Sequence, residues 1–172
     1  IGKEEYLDKI EFISTGGYSN LKKNDIKLQE NHDTGKKNLI IFDADFSENE
    51  GGFKNRYDEI QKVIDEIGVN AEIFLFPNNG DDGDFELLLI KCINNTHKGL
   101  LDCFDNYTEC VDKYNNSDKP TYLIPDRKAK IYSYISSFPR SRKEQEAFKN
   151  KKDWNFSNSE YWNLEVDYLK AL

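Results

Sequence analysis

The chain has 172 residues, enough to bury a core in a single domain without disulfides or a structural metal. Its composition, with 37% apolar and 13% aromatic residues, indicates a folded protein and excludes a disordered polyelectrolyte. The net charge of -8 argues against a long, non-specific nucleic-acid surface, and no apolar run approaches the length of a membrane span.

The N-terminal part of the chain predicts a strand between polar segments. Residues 1–7 resemble the end of a helix, and residues 9–13 alternate charged and apolar side chains as a strand does. Residues 18–21 are expected to begin a helix or turn. The polar stretch 25–37 is expected to hold a helix end and a loop.

The middle of the chain predicts a strand, a helix and a second strand. Residues 38–42 form a short continuous apolar run, which is typical of a parallel strand covered on both faces. Apolar residues recur at helical spacing over residues 53–67, and Gly68 is placed to end that helix. Residues 71–76 form the next strand. This order predicts a βαβ unit with parallel strands.

The C-terminal half is expected to be mainly helical. The predicted segments are a helix over 85–93, an apolar helical stripe from Leu100 to Tyr114, an extended piece over 121–124, a helix over 128–138, a charged exposed stretch over 143–152 and a last helix over 158–172. The prediction is therefore one α/β domain over 1–172. Its mostly parallel sheet has about four strands flanked by helices, and residues 141–172 form a C-terminal helical extension.

Cysteine usage and the chain start bear on localisation. Cys92, Cys103 and Cys110 are odd in number and irregularly spaced, which favours reduced thiols in a cytoplasmic protein over a disulfide framework. Each is expected to be a small buried apolar side chain. No signal peptide is visible. The chain begins at Ile1 and contains no methionine, so we expect some upstream sequence to be missing.

Two aspartates at the end of the first apolar strand are the clearest candidate for chemistry. Asp43 and Asp45 are two residues apart, so on a strand their carboxylates would point to the same side. Ligands of open α/β sheets bind at this edge, and Mg²⁺ is held by one or two carboxylates plus water. The alternative is that one aspartate caps the following turn while the other is solvated.

A second acidic cluster follows the next strand and contains Asp81, Asp82, Asp84 and Glu86. Asp84 lies where a carboxylate would cap the following helix. Alternatively, Asp84 or Glu86 approaches the first pair and supplies a further metal ligand. A calcium EF-hand is excluded, because the acidic residues lack its alternating ligand pattern and no glutamate closes the loop.

The candidate nucleic-acid contacts are basic residues in the C-terminal third, namely Lys128, Lys130, Arg140 and Arg142. The competing interpretation is an ordinary solvated face. His97, near the start of a helix, is expected to be a surface or capping residue.

The segment Leu39-Ile-Ile-Phe-Asp-Ala-Asp45 resembles the DxD strand of the Toprim domain, which primases, topoisomerases, recombination proteins and OLD-type nucleases share. Phe74-Leu-Phe-Pro-Asn-Asn79, Gly83-Asp-Phe-Glu-Leu-Leu88 and the stretch from His97 to Asp105 further resemble a group of uncharacterised bacterial Toprim-related proteins. The resemblance covers about residues 9–140.

The Toprim resemblance implies a compact, mostly parallel sheet between helices that binds Mg²⁺ (or Mn²⁺) and acts on phosphodiester bonds. It implies that Asp43 and Asp45 bind the metal. The family also has a glutamate after its first strand. We expect that residue to lie upstream of Ile1, or this branch lacks it; Glu11 falls in the predicted second strand and does not replace it.

Three functional hypotheses follow. The first is a Mg²⁺-dependent, nuclease-like domain with Asp43 and Asp45 as ligands and Asp84 and Glu86 as secondary ligands. The second is a non-catalytic Toprim-like module that binds protein or nucleic acid in repair or defence. A phosphatase with an aspartyl nucleophile is weaker, because its lysine and hydroxyl partners are not apparent.

Overall fold

The structure, a computed structural model, describes residues 9–115, 121–151, 154 and 156–171. This part of the chain is α/β and contains six α-helices and two strands. In chain order the elements are α1 (Asp25–Asp33), β1 (Asn38–Asp43), α2 (Phe53–Ile67), β2 (Ala71–Phe76), α3 (Phe85–Cys92), α4 (Lys98–Lys113), α5 (Arg127–Ser136) and α6 (Arg142–Lys151). Short 3-10 helices cover Tyr18–Asn24, Ser47–Asn49, Asn95–His97 and Asp167–Ala171.

The predicted βαβ unit is confirmed. β1 and β2 pair in parallel, with a register that runs from Asn38 opposite Ala71 to Asp43 opposite Phe76. The amphipathic helix α2 connects them, and Gly68 ends it in the left-handed conformation that a glycine adopts without strain. The buried apolar side of α2 belongs to the same core cluster as the inner face of the sheet. This packing fixes both strand ends at one edge of the sheet.

A second core cluster lies around α3 and α5. Its buried members include Leu88 and Leu89 from α3, Ile131 and Ile135 from α5, and Trp162 from the C-terminal segment. An isolated antiparallel bridge between Ile93 and Trp162 joins that segment to the end of α3. α5 is thereby held against α3, which brings the start of α5 close to the start of α3.

The sheet is smaller than the sequence predicted. Within the described residues it has two strands, and residues 10–15 have no regular secondary structure, so the strand predicted over 9–13 was wrong. Residues 121–124 also form no strand. The expectation that both faces of β1 are covered was wrong as well, because Leu39 and Ile41 are 59% and 42% exposed. The continuous apolar run indicated a strand correctly but not its environment.

The C-terminal segment departs from the predicted helix over 158–172. Residues 156–166 form turns and one bridge, and only the short 3-10 helix at Asp167–Ala171 follows. The side chains of Asn158 and Asn163 accept hydrogen bonds from the backbone N–H groups of Glu160 and Glu165. Such local bonds compete with helix formation. Of the predicted C-terminal extension, residues 152, 153, 155 and 172 lie outside the described part.

The three cysteines differ in environment. Cys92 is buried in the second core cluster as predicted, whereas Cys103 and Cys110 lie exposed on α4, so the expectation of burial was wrong for these two. All three are free thiols. No helix within the described ranges is both long and apolar enough to cross a membrane.

Candidate functional site: the carboxylates at the sheet edge

Asp43 is the last residue of β1, and its carboxylate is held at the start of α3. Its Oδ1 accepts a hydrogen bond of 2.8 Å from the backbone N–H of Phe85. Partial burial raises the pKa of this carboxyl, the Phe85 hydrogen bond lowers it, and the charges of Glu86, Asp45 and Asp84 raise it further. The net shift is upward. Among the neighbouring charges, Glu86 of α3 raises the pKa of Asp43 more than Asp45 does.

Asp45 lies beyond the strand in a left-handed backbone conformation, with φ of 59°. The regular strand alternation therefore does not extend to Asp45, and its carboxylate turns towards α2. Its Oδ2 lies 2.8 Å from Nη2 of Arg56, which is 4% exposed. The other terminal nitrogen of Arg56 lies 2.7 Å from Glu59. The sequence predicted that Asp43 and Asp45 bind one metal ion together. In the structure Arg56 competes with such an ion for the carboxylate of Asp45.

Two glycines allow the loops at this edge to approach each other. Asp45 and Gly83 exchange backbone hydrogen bonds of 2.7 and 2.8 Å. A Cβ at Gly83, where φ is 146°, would come within 2.8 Å of Leu87 and 3.1 Å of Pro77. A Cβ at Gly51 would lie 2.5 Å from the Cβ of Asp45. Larger residues would therefore clash inside the loop that follows β1 and inside the loop that follows β2.

Asp84 and Glu86 are brought to the same edge, but each faces a basic residue at the start of α5. Asp84 caps α3 by accepting from the Leu87 N–H at 2.7 Å, as predicted, and its other oxygen forms a short ion pair with Arg127. The Arg127 guanidinium also lies over the ring of Phe46 at 4.7 Å. Glu86 lies 3.9 Å from the Lys128 ammonium, which is too far for a hydrogen bond.

A groove lies beside these carboxylates. It has a volume of about 560 Å³ and follows β1 on the edge away from β2. Residues 13–17 and the side chains of Leu39 and Ile41 line its length, while Asp43 and Phe85 lie at its end. The half-buried Asp43 therefore lies at the end of an open groove that both polar and apolar residues line.

The residues present fit a magnesium ion in part. One oxygen of Asp43 accepts no hydrogen bond within the described residues, and the same holds for both oxygens of Glu86. Asp43 and Glu86 therefore have oxygens to offer a cation, and one or two carboxylates plus water suffice for Mg²⁺. Across the described ranges, no three His, Cys, Asp or Glu side chains are arranged as a complete metal-holding group.

The four predicted nucleic-acid contacts divide into two groups. Lys130 pairs with Asp105 at 2.6 Å and is mostly buried, and Arg140 donates to the carbonyls of Ile135 and Phe138 at the end of α5. These two contacts stabilise the fold. Lys128 and Arg142 are exposed, and Arg142 faces Glu146 at 3.5 Å within its own helix. Only these latter two are available to a ligand.

The other polar residues singled out in the sequence have local structural contacts. Asp82 accepts from the Phe53 N–H at 2.7 Å and from the Ser47 hydroxyl, and these bonds lower the pKa of its carboxyl. Asp81 accepts from the side chain of Asn78 at 2.9 Å. His97 lies 2.9 Å from the Tyr134 hydroxyl and packs among aromatic rings. Asp82 therefore holds the start of α2 in place. His97 packs against the second core cluster.

Two arginines were not recognised from the sequence as parts of this site. Arg56 occurs one helical turn before Ile60, on the apolar side of α2, and a charged residue on a buried face signals a paired interior charge. Arg127 follows Asp126, which caps α5, and its basic neighbour Lys128 was predicted as a nucleic-acid contact rather than as part of this site. Tertiary packing alone shows which carboxylates these cations meet.

Comparison with known proteins identifies the family of this chain. No curated protein and no solved structure matches the chain significantly. A family model described as "Protein of unknown function (DUF3226)" matches residues 2–172. Since this match covers nearly the whole sequence, the chain belongs to the DUF3226 family.

Proposed function

We propose that this chain is a Toprim-like domain that binds Mg²⁺, or Mn²⁺ in its place, and processes phosphodiester bonds in a nuclease-like reaction. The observation that carries the proposal is the state of Asp43. This half-buried carboxyl at the end of a parallel strand has its pKa raised by burial and by Glu86, Asp45 and Asp84. A divalent cation would remove this repulsion and favour the ionised carboxylate.

The chain's own residues have distinct parts in this proposal. Asp43 is the principal ligand, held in position by the Phe85 N–H, and Glu86 supplies the second carboxylate. Asp45 and Asp84 orient the loops through Arg56 and Arg127. When bound, Mg²⁺ would polarise a phosphoryl oxygen and activate a water. Arg127 and Lys128 place positive charge beside the carboxylates, where a phosphate group would lie.

The full Toprim sheet of about four strands belongs to this proposal. The supporting observation is the edge of β1 away from β2, which pairs with no other strand within the described residues and borders the groove. An additional strand at that edge would pair with the open backbone N–H and C=O groups of β1 and extend the sheet beside Asp43. The family's glutamate would enter the site on such a strand.

Calorimetric titration with Mg²⁺ and Mn²⁺ tests the metal role directly. We expect the wild type to bind, Asp43→Asn to lose tight binding and Glu86→Gln to weaken it. Asp102→Asn, which removes an exposed carboxylate on α4, is the matched control and should bind as the wild type does. Cleavage of labelled single- and double-stranded DNA and RNA is then measured with the same variants. Unchanged titration of Asp43→Asn would refute the proposal.

A non-catalytic binding module is the second candidate, and the ion pairs of Asp45 with Arg56 and of Asp84 with Arg127 favour it. These contacts occupy carboxylates that a catalytic site would use. The module predicts oligonucleotide binding in the presence of EDTA that Asp43→Asn leaves unchanged and Lys128→Glu weakens. Fluorescence anisotropy measures this binding, and a requirement for Mg²⁺ would exclude the module.

A further inference from the structure

The helix α4 has an apolar side that is wider than the surface it packs against. Leu101, Phe104, Thr108 and Val111 are half-buried at helical spacing, and Leu101 packs against the second core cluster. No residue of α4 is fully buried. The four half-buried residues therefore face α5. A row of exposed residues lies next to them on the same helix.

The exposed row beside the half-buried residues of α4 is uncharged, and we call it the α4 stripe. It consists of Leu100, Cys103, Tyr107, Cys110 and Tyr114. Tyr107 and Tyr114 are 57% and 72% exposed, and both cysteines are exposed free thiols. The residues follow one another at intervals of three, four, three and four, which is the spacing of a coiled-coil seam. Such a seam fits another helix better than it fits a loop or a small ligand.

The order of side-chain sizes in the α4 stripe matches a second copy of the same helix. If two α4 helices pack antiparallel, one register places Tyr107 against the partner subunit's Cys110 and Tyr114 against the partner subunit's Cys103. Two-fold symmetry repeats both pairs, so that each of these layers combines one large and one small side chain. Facing large and small residues interdigitate well, and a two-fold interface requires that one surface is complementary to a second copy of itself. Antiparallel helices also oppose their dipoles favourably.

The exposed apolar area is sufficient for a stable dimer. Beside the α4 stripe lie Tyr122 and Leu123, and with Tyr107, Val111 and Tyr114 they line a shallow cavity of about 380 Å³. Leu123 is 95% exposed. An aromatic side chain buries about 150–250 Å² when fully covered, and the three tyrosines are 54–72% exposed, so with Leu123, Leu100 and the two cysteines the surface offers roughly 600 Å² per copy. Stable interfaces bury about 600–1,000 Å² per partner.

From the spacing, the size match and the area, we propose that the α4 stripe is the interface of a symmetric homodimer in which two α4 helices pack antiparallel. The seam carries no charge, which limits the effect of the net charge of -8 that each copy contributes. Association should strengthen with ionic strength, because salt screens the repulsion between two acidic copies.

Sedimentation equilibrium and light scattering over 1–200 μM test the dimer. We expect the full chain to dimerise and Tyr107→Lys to be monomeric with an unchanged circular dichroism spectrum. Glu109→Lys, on the exposed side of α4 away from the stripe, is the matched control and should still dimerise. A wild type that remains monomeric throughout this range would overturn the proposal.

Oxidation with diamide tests the antiparallel register. In Tyr107→Cys the new thiol faces the partner subunit's Cys110, so two thiols lose two protons and two electrons to diamide and form an intermolecular disulfide. We expect this crosslink to form faster than any in the wild type and to disappear when Cys110→Ser is added. It should persist when Cys103→Ser is added instead. A crosslink that survives Cys110→Ser would overturn the antiparallel arrangement.

Discussion

Replacement of Arg56 by methionine tests how the interior cation between Asp45 and α2 is stabilised. Arg56 is 4% exposed, forms ion pairs at 2.8 and 2.7 Å and lies with its guanidinium 3.5 Å from the centre of the Tyr18 ring. Methionine retains a chain of similar length and apolar character but removes the charge and all donors. The change therefore isolates the polar contacts from the packing.

The expected loss follows from the exposure of the partners. Removing one member of a fully buried ion pair costs about 3–5 kcal/mol, but Asp45 and Glu59 are 48% and 47% exposed and regain water when Arg56 is lost. The stacking on Tyr18 contributes about 1 kcal/mol. The Nε of Arg56 has no hydrogen-bond partner in the described part. Removing this buried donor offsets some of the lost free energy of unfolding. We expect a net destabilisation of about 2 kcal/mol, or a fall in Tm of about 4–8 °C.

Urea unfolding followed by tryptophan fluorescence measures this change. Arg56→Lys should lose less stability than Arg56→Met, because the lysine ammonium keeps the positive charge. It should still be less stable than the wild type, because one ammonium cannot form both ion pairs at once. A double-mutant cycle of Arg56→Met with Asp45→Asn should give a coupling of about 1 kcal/mol. If Arg56→Met proves neutral or stabilising, the ion pairs do not stabilise the fold, and the loop geometry at Asp45 has another origin.

Two further predictions concern titratable side chains. The raised pKa of Asp43 means that its contribution to stability is complete below its ordinary value of 3.8 and is lost as the pH rises through the raised value in the folded protein. Asp43→Asn should therefore be more stable than the wild type at pH 7, by a margin that grows from pH 4 upwards in urea unfolding; an equally stable variant would contradict the burial argument. Burial raises the pKa of the Cys92 thiol to about 11. In the monomeric Tyr107→Lys variant, DTNB at pH 8 should therefore label Cys103 and Cys110 rapidly and Cys92 only in denaturant. Rapid labelling of three thiols in this variant under native conditions would contradict the burial of Cys92.

The sequence alone determined those elements whose pattern is local. The apolar spacing of residues 53–67, closed by Gly68, gave α2 with its observed bounds, and the short apolar run before Asp43 gave β1 within one residue. The order of these two elements and the strand after them also determined the parallel pairing, since a helical crossover of this length leaves few other arrangements. Asp84 was recognised as a cap because capping depends on a residue and its immediate neighbours.

Only the tertiary structure decided which charges meet. Asp45 turns towards Arg56 because its backbone leaves the strand in a left-handed conformation, and Asp84 meets Arg127 because the second core packs α5 beside α3. Arg56 on the apolar side of α2 indicates a paired interior charge, but no sequence pattern shows which carboxylate Arg56 or Arg127 meets. The false strand over 9–13 and the false helix over 158–172 have the same cause, because periodicity describes which face could be buried but not whether a partner covers it.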